Sequence, residues 1–303
     1  MEILQTKQLT KSYGVTAILK GIDLTIHQGE IFGFVGHNGA GKSTFIHTIT
    51  GIVNKSSGSF HIMGVSDQQL NQIKSNIGVM PDVANLYHHM KGIQFLRYMG
   101  KLTGDTRSRE EYETLMKEVG LEHVTKKKIK TYSFGMKKKI SIAQALLGNP
   151  SFIILDEPTS GLDPESAIHI RCLIKRLQKQ EKTILLTSHN LDEIDKISDR
   201  VGILSDGVIK KLGPPEYLKT NIEAGCRISI RTKPVLPEAA VQRLSSEIGI
   251  SLSFLEEKES HTQVQIGSEE DIPLLVKELT ASDFLVYELK IEERSLEDVF
   301  MNA

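Results

Sequence analysis

The chain has 303 residues, 39% of them hydrophobic and 25% charged, with a formal net charge of −1. That is the make-up of a soluble globular protein, long enough for one large domain or two. No apolar run approaches the ~18 residues of a membrane span, and the opening Met1-Glu-Ile-Leu-Gln5 lacks the pattern of a secretory signal.

Residues 1–35 alternate apolar and polar positions, as in Leu19-Lys-Gly-Ile-Asp-Leu-Thr-Ile26, and predict antiparallel strands leading into a buried strand, Ile31-Phe-Gly-Phe-Val35. Directly after it, Gly36-His37-Asn38-Gly39-Ala40-Gly41-Lys42-Ser43-Thr44 fits the phosphate-loop pattern G-x-x-x-x-G-K-[ST]. Residues 44–50 predict a helix stopped by Gly51. A turn at 56–59 and a short strand at 60–63 follow, then a stretch over 88–150 with helical periodicity at 92–102, 109–119 and 137–147. The wholly apolar run 152–155, and 183–187 and 200–204 after it, predict parallel strands covered on both faces. Strands alternating with helices indicate an α/β core.

The pattern breaks around Gly213-Pro-Pro215. Beyond Asn221 we read strand 226–231, helix 237–248, strands 250–255 and 262–266, helix 270–281 and strand 284–291, the split βαβ, ferredoxin-like order. The expected domains are therefore 1–218, with a helical subdomain at about 83–150, and a small α+β domain over 221–303. The second is acidic: residues 221–303 carry 8 Lys/Arg against 16 Asp/Glu, a net of −8, leaving the rest of the chain at +7. A basic first part suits a polyphosphate ligand and the anionic inner face of a membrane. The runs Lys126-Lys-Lys-Ile-Lys130 and Lys137-Lys-Lys139 lack interleaved aromatics or a groove-reading motif. They read as solvated helix faces, and nucleic acid is not an expected partner. Cys172 and Cys226, far apart and without a CxxC spacing, read as reduced cytosolic thiols, not as a disulfide or metal site.

Inward-pointing amides of the loop and the positive start of the following helix bind phosphate. Lys42 reaches the β and γ phosphates of a nucleoside triphosphate, and the Ser43 hydroxyl ligates Mg²⁺. Asp156 and Glu157 end the strand 152–155 as two adjacent carboxylates, one to hold the Mg²⁺ shell and one to orient the attacking water. An acidic pair there also serves as a helix cap, but the Pro158 and Gly161-Leu-Asp163 turn that follow make it more specific. His189, just beyond strand 183–187, is placed to hydrogen-bond a γ phosphate, although alone it reads first as a satisfied loop histidine. Ser133 is a natural N-cap, and the small Gly135 lets backbone amides approach an anion closely.

Taken together, residues 1–215 resemble the ATP-binding subunits of ABC transporters, which implies a P-loop NTPase fold of the ABC type: a mixed-sheet core with an antiparallel β subdomain and a helical subdomain. On that resemblance Asp156-Glu157 is the Walker B pair, His189 the switch histidine and Ser160-Gly-Leu-Asp163 the D-loop. Tyr13 matches the aromatic residue that stacks on adenine, and Ser133-Phe134-Gly135-Met136 the Leu-Ser-Gly-Gly-Gln signature. Two positions depart from it: Phe134 replaces the first signature glycine, and Asp82 stands where the family has its Q-loop glutamine. Both departures, and the tail Ser295-Leu-Glu-Asp-Val-Phe300, are similar to the bacterial ABC-2-type branch of drug and antibiotic exporters.

The resemblance implies ATP hydrolysis with Mg²⁺ held by Ser43 and Asp156 and with Asp82 beside it. Glu157, His189 and Lys42 are the implied catalytic residues. It implies two copies, or a copy and a paralogue, closing head to tail around ATP, each offering Ser133, Gly135 and Asp163 to the other. It also implies a separate multi-span permease and a place on the cytoplasmic face of the cell membrane. Leu86, Tyr87, Ile93, Phe95 and Leu96 are the expected docking surface or, equally, core packing. The rival reading is a soluble ABC-family ATPase with a non-transport role.

Overall fold

The computed structural model describes residues 1–220, 225–258, 260–292 and 295–301. Its backbone divides into two compact units, Met1–Pro215 and a second from Glu216 onward. The first opens with β1 (Glu2–Tyr13) and β2 (Thr16–His27), an antiparallel hairpin, followed by β3 (Ile31–Val35) and α1 (Lys42–Ile49). Next come β4 (Ser57–Ile62), β5 (Val65–Ser66), α2 (Leu70–Lys74) and β6 (Ile77–Val79). Three helices, α3 (Gly92–Thr103), α4 (Arg109–Glu118) and α5 (Phe134–Ala145), precede β7 (Phe152–Leu155). The run closes with α6 (Pro164–Lys179), β8 (Thr183–Ser188), α7 (Leu191–Ile197), β9 (Arg200–Ser205) and β10 (Val208–Gly213); α8 (Pro215–Thr220) starts at the boundary, with all but its first residue in the second unit.

Two sheets share this core. One is antiparallel, in the order β2-β1-β4-β5; the other runs β10-β9-β3-β8-β7-β6, with every neighbour parallel except β10 against β9. All residues of β3, β7 and β8 are buried, as expected of strands covered on both faces; β3 and β7 carry no polar side chain, and β8 has an apolar centre, Ile184-Leu-Leu186, between buried threonines. Phe32, Phe34 and Phe45 join Ile154 and Leu185 with Leu4, Leu24 and Phe60 of the antiparallel sheet in one cluster. The Phe34 and Phe45 rings meet at 5.0 Å. Each such side chain contributes about 1.5–3 kcal/mol by leaving water.

Caps set the helix boundaries more sharply than periodicity does. Gly41, at φ 113, ends the loop so that α1 starts at Lys42, two residues before the expected 44. Ser133 Oγ accepts the Met136 N–H at 3.2 Å, the N-cap role its sequence position predicts, so α5 starts at Phe134, three residues before the periodic stretch at 137. A full capping box between Ser108 and Glu111 opens α4. Just before it, Asp105 accepts from the amides of Arg107 and Gly148, from the Arg107 guanidinium and from the Tyr112 hydroxyl, tying α4 to the turn after α5. At the far end of α5, a Cβ on Gly78 of β6 would lie 1.9 Å from the Ala145 carbonyl oxygen. Strand and helix there touch backbone to backbone, which only glycine permits.

The second unit contains β11 (Cys226–Lys233), α9 (Glu238–Ile248), β12 (Leu252–Lys258), β13 (His261–Ile266), α10 (Ile272–Ala281), β14 (Leu285–Glu292) and α11 (Leu296–Met301). Its antiparallel sheet runs β12-β13-β11-β14, so β13 separates the two strands joined through α9. This is the split βαβ topology read from the sequence. Ile228, Ile230, Val241, Leu244, Val264, Leu275 and Leu279 form its core. A 3₁₀ turn, Glu269–Asp271, takes the first residues expected of the helix 270–281, and α10 then begins at Ile272 with a proline in its first turn.

Candidate functional site

Three adjacent parallel strands end at the same edge of the mixed sheet: β3, β8 beside it, and β7 beside β8. Ligands of open α/β sheets bind at the carboxyl ends of strands, and here those ends lead into the phosphate loop, His189 and Asp156-Glu157. An open cleft of ≈ 360 Å³ lies there, lined by Tyr13, Ile18, His37, Asn38, Gly39, Gly41, Lys42, Ser43, Thr44 and Glu157. Lys42 is 7% exposed and donates to the carbonyls of Gly36 at 2.6 Å and His37 at 3.3 Å. Burial pushes its pKa down, while the carboxylates of Glu157 and Asp156 act in the opposite sense. Tyr13 stands half exposed at the cleft, with the Lys11 ammonium 4.6 Å from its ring centre.

Ser43 Oγ donates to Asp156 Oδ2 at 3.0 Å, across 113 residues of chain. The other carboxylate oxygen, Oδ1, accepts from Thr187 Oγ1. Glu157 is held at three points. Its amide donates to Thr187 Oγ1 at 3.0 Å, its carbonyl accepts from Lys138 Nζ, and its Oε2 lies 2.7 Å from His189 Nδ1. Its φ of +50° places it in the left-handed region, sparsely populated for a residue with a side chain.

Two of these residues are not legible as site residues in the sequence. Thr187 reads there only as the end of an apolar strand, yet it links Asp156 and Glu157. Lys138 belongs to a run expected to be a solvated helix face; instead it is 5% exposed and donates to Glu157 O and, at 2.7 Å, to Ser160 Oγ. Burial lowers its pKa, against the opposing pull of Glu157, Asp156, Asp82 and Glu193. The correction has a local cause. Lys138 shares the buried face of α5 with Ser141, Ile142 and Ala145 at helical spacing, whereas its neighbours Lys137 and Lys139 remain partly exposed. That spacing is the signal that identifies it.

The remaining expected residues do not line the cleft. Ser133 caps α5, and Asp163 caps α6 by accepting the Ser166 N–H at 2.9 Å. A Cβ on Gly135 would meet Leu162 and Ser166, which places the Ser133–Gly135 segment against the residues around Asp163. Asp82 caps a 3₁₀ turn, accepting from Ala84 N at 2.9 Å. Of the apolar set in this region, Leu86, Phe95 and Leu96 are core, Ile93 is half-buried, and Tyr87 is exposed beside Tyr98.

Residues 19–160 match the family model described as ABC transporter. The linearmycin resistance ATP-binding protein LnrL of Bacillus subtilis (strain 168) is 33% identical over 304 residues, spanning 99% of this chain and 97% of that protein. The chain belongs to the ABC transporter ATP-binding proteins. The bacitracin transport ATP-binding protein BcrA of Bacillus licheniformis is 36% identical to this cassette over 219 residues, 72% of the chain and 71% of the relative. A dimeric ATP-binding cassette in a post-hydrolysis state, bound to ADP and Pi, superposes with a TM-score of 0.65 at 25% identity. That match covers 70% of this chain and 98% of the other. The mixed sheet with its antiparallel and helical layers is thus the ABC form of the P-loop fold, and ATP is the family's ligand. Among the described residues, no helix is long and apolar enough to cross a membrane.

Proposed function

We propose that the chain is the ATP-hydrolysing subunit of an exporter whose membrane-spanning permease is a separate polypeptide, and that it works at the cytoplasmic face of the membrane. The observation that carries this reading is the convergence of Ser43, Asp156, Glu157 and His189 at the ends of three neighbouring strands. The relatives' names, one for linearmycin resistance and one for bacitracin transport, support the direction and kind of cargo.

The donor set fits magnesium. Mg²⁺ takes oxygen ligands, commonly one or two carboxylates together with substrate phosphates, and Ser43 Oγ with Asp156 Oδ2 offers such a pair. Among the described residues no group of three or more His, Cys, Asp or Glu forms a protein-only cage. A bound Mg²⁺ neutralises charge on the β and γ phosphates. Lys42 and the loop amides hold those phosphates. Glu157 polarises a water whose oxygen bonds to the γ phosphorus as the bond to the ADP oxygen breaks. His189, released from Glu157, donates to the γ phosphate.

Because Ser133, Gly135 and Asp163 lie outside the cleft of their own chain, a second copy or a paralogue supplies them across a closed dimer. γ-Phosphate contacts hold the dimer shut and hydrolysis releases it. The exposed Tyr87 and Tyr98 then form the docking patch for the permease.

Glu157→Gln tests the chemistry. It is expected to bind ATP and form stable dimers while turnover nearly stops; parental turnover refutes the assignment. A tagged pull-down from detergent-solubilised native membranes tests the role. Recovery of a multi-span protein supports transport, and recovery of soluble partners alone refutes it.

A further inference from the structure

Lys138 is, with Lys42 of the phosphate loop, one of two buried lysines among the described residues of the first unit, and its geometry has a specific target. Its ammonium touches no carboxylate oxygen; it donates to a main-chain carbonyl, that of Glu157, and to the Ser160 hydroxyl. The same carbonyl also accepts the Ser160 N–H at 3.3 Å, so the ammonium closes the turn 157–160 from behind. Glu157 adopts a left-handed φ of +50°, which a β-carbon disfavours by roughly 1–2 kcal/mol. Such a conformation persists only where its surroundings over-determine it. Here Thr187 grips the amide side of the residue and Lys138 the carbonyl side.

We propose that Lys138 is a positioning residue for hydrolysis: by fixing the Glu157 carbonyl and Ser160 it keeps the Glu157 carboxylate aimed into the cleft. The inference rests on the reading of Glu157 as the group that polarises water. A consequence follows from where Lys138 sits. It is on the second turn of α5, whose first turn carries Ser133 and Gly135, so the signature helix and the catalytic turn share one hydrogen-bonded anchor. Loss of the ammonium leaves the loop that binds ATP untouched, because Lys138 does not line the cleft.

The test compares Lys138→Met, which keeps length and apolar stem but no donor, with Lys138→Gln, which is shorter yet still donates. Steady-state ATPase kinetics and thermal melting are measured for both. A misplacement of about 1 Å at a reacting group costs about 10²-fold in rate. The methionine variant is therefore expected to lose about ten- to a hundredfold in kcat with KM for ATP unchanged, and the glutamine variant about threefold or less. Parental kcat in the methionine variant overturns the proposal. So does a glutamine variant as impaired as methionine, or a KM that rises in step with the loss.

Should the methionine chain fail to fold, Ser160→Ala replaces it. It removes one acceptor and is expected to lower kcat about three- to tenfold at unchanged KM; parental kcat again overturns the proposal. Glu157→Gln, assayed alongside, separates the two levels. If it turns over normally, the reading of the site has failed; if it is inactive while Lys138→Met is parental, only the positioning role has failed.

Discussion

Thr187 offers a clean separation of packing from chemistry. Its side chain is fully buried at the end of β8, where the hydroxyl donates to Asp156 Oδ1 and accepts the Glu157 amide at 3.0 Å. Thr187→Val keeps the volume and removes only the hydroxyl. A buried N–H left unpaired costs about 1–3 kcal/mol, and a hydrogen bond to a carboxylate is worth about 1.5–3 kcal/mol. The two losses share one residue and do not add fully, so about 2–4 kcal/mol is expected. That exceeds the roughly 1–2 kcal/mol disfavouring the left-handed Glu157, which is then free to relax toward ordinary backbone with its carboxylate turned away. The expected loss in kcat is about ten- to a hundredfold.

Thr187→Ser inverts the change: it keeps the hydroxyl and removes a buried methyl, for about 1 kcal/mol of stability and almost no loss of kcat. ATPase rate and melting temperature measured on both variants should therefore rank alike, with valine the slower and less stable protein and serine fast and only slightly less stable than the parent. A valine variant with parental kcat, or a serine variant as slow as valine, refutes the argument.

Three further outcomes are expected. The Asp105 side chain is 2% exposed; burial pushes its carboxyl up, but the amides of Gly148 and Arg107 and the Arg107 guanidinium prevail and hold it below its ordinary 3.8. A depressed carboxylate contributes stability above its unfolded pKa that is lost as pH falls through the folded one. Asp105→Asn should thus cost about 2 kcal/mol at neutral pH and flatten the acid limb of the melting curve below about pH 4. An unchanged acid limb contradicts this. Tyr13→Ala should weaken ATP binding by about 1–3 kcal/mol, the worth of an aromatic platform under a base, with Tyr13→Phe near parental in a direct binding titration. Substituting Tyr87 and Tyr98 together with Glu should abolish recovery of the permease in the membrane pull-down and leave the melting temperature within a few degrees, since both side chains are exposed.

Most of the architecture is legible because contiguous residues carry it. Glycines, a lysine and a serine in register specify the phosphate loop. Three apolar runs specify the buried strands, and alternating segments with one proline-rich break specify the second unit's order. The site is legible where its chemistry lies in one stretch, as in Asp156-Glu157, or next to a strand end, as in His189. It is illegible where a partner lies far along the chain. Thr187 meets residues some 30 positions away, and nothing local marks a strand threonine as the holder of a carboxylate. Lys138 is hidden by composition: three lysines in a row look solvated until helical spacing shows that the middle one shares the buried face with Ile142. Leu86, Phe95 and Leu96 illustrate the reverse, apolar side chains that suit a docking surface equally well but are core.

The bare contact between Gly78 and Ala145 has a mechanical meaning. Side chains are springs: a layer of them between two elements absorbs small displacements by rotamer changes. Here none intervenes, since even a single added carbon would sit 1.9 Å from the Ala145 oxygen. Immediately beyond β6 the chain reaches Met80, whose amide donates to Ile154 of β7 at 2.9 Å, and then the turn at Asp82. The end of α5 and the strand that leads to Asp82 therefore form a joint with very low compliance. A displacement of the strand that leads to Asp82 is passed on to the end of α5 and not absorbed by side chains between them.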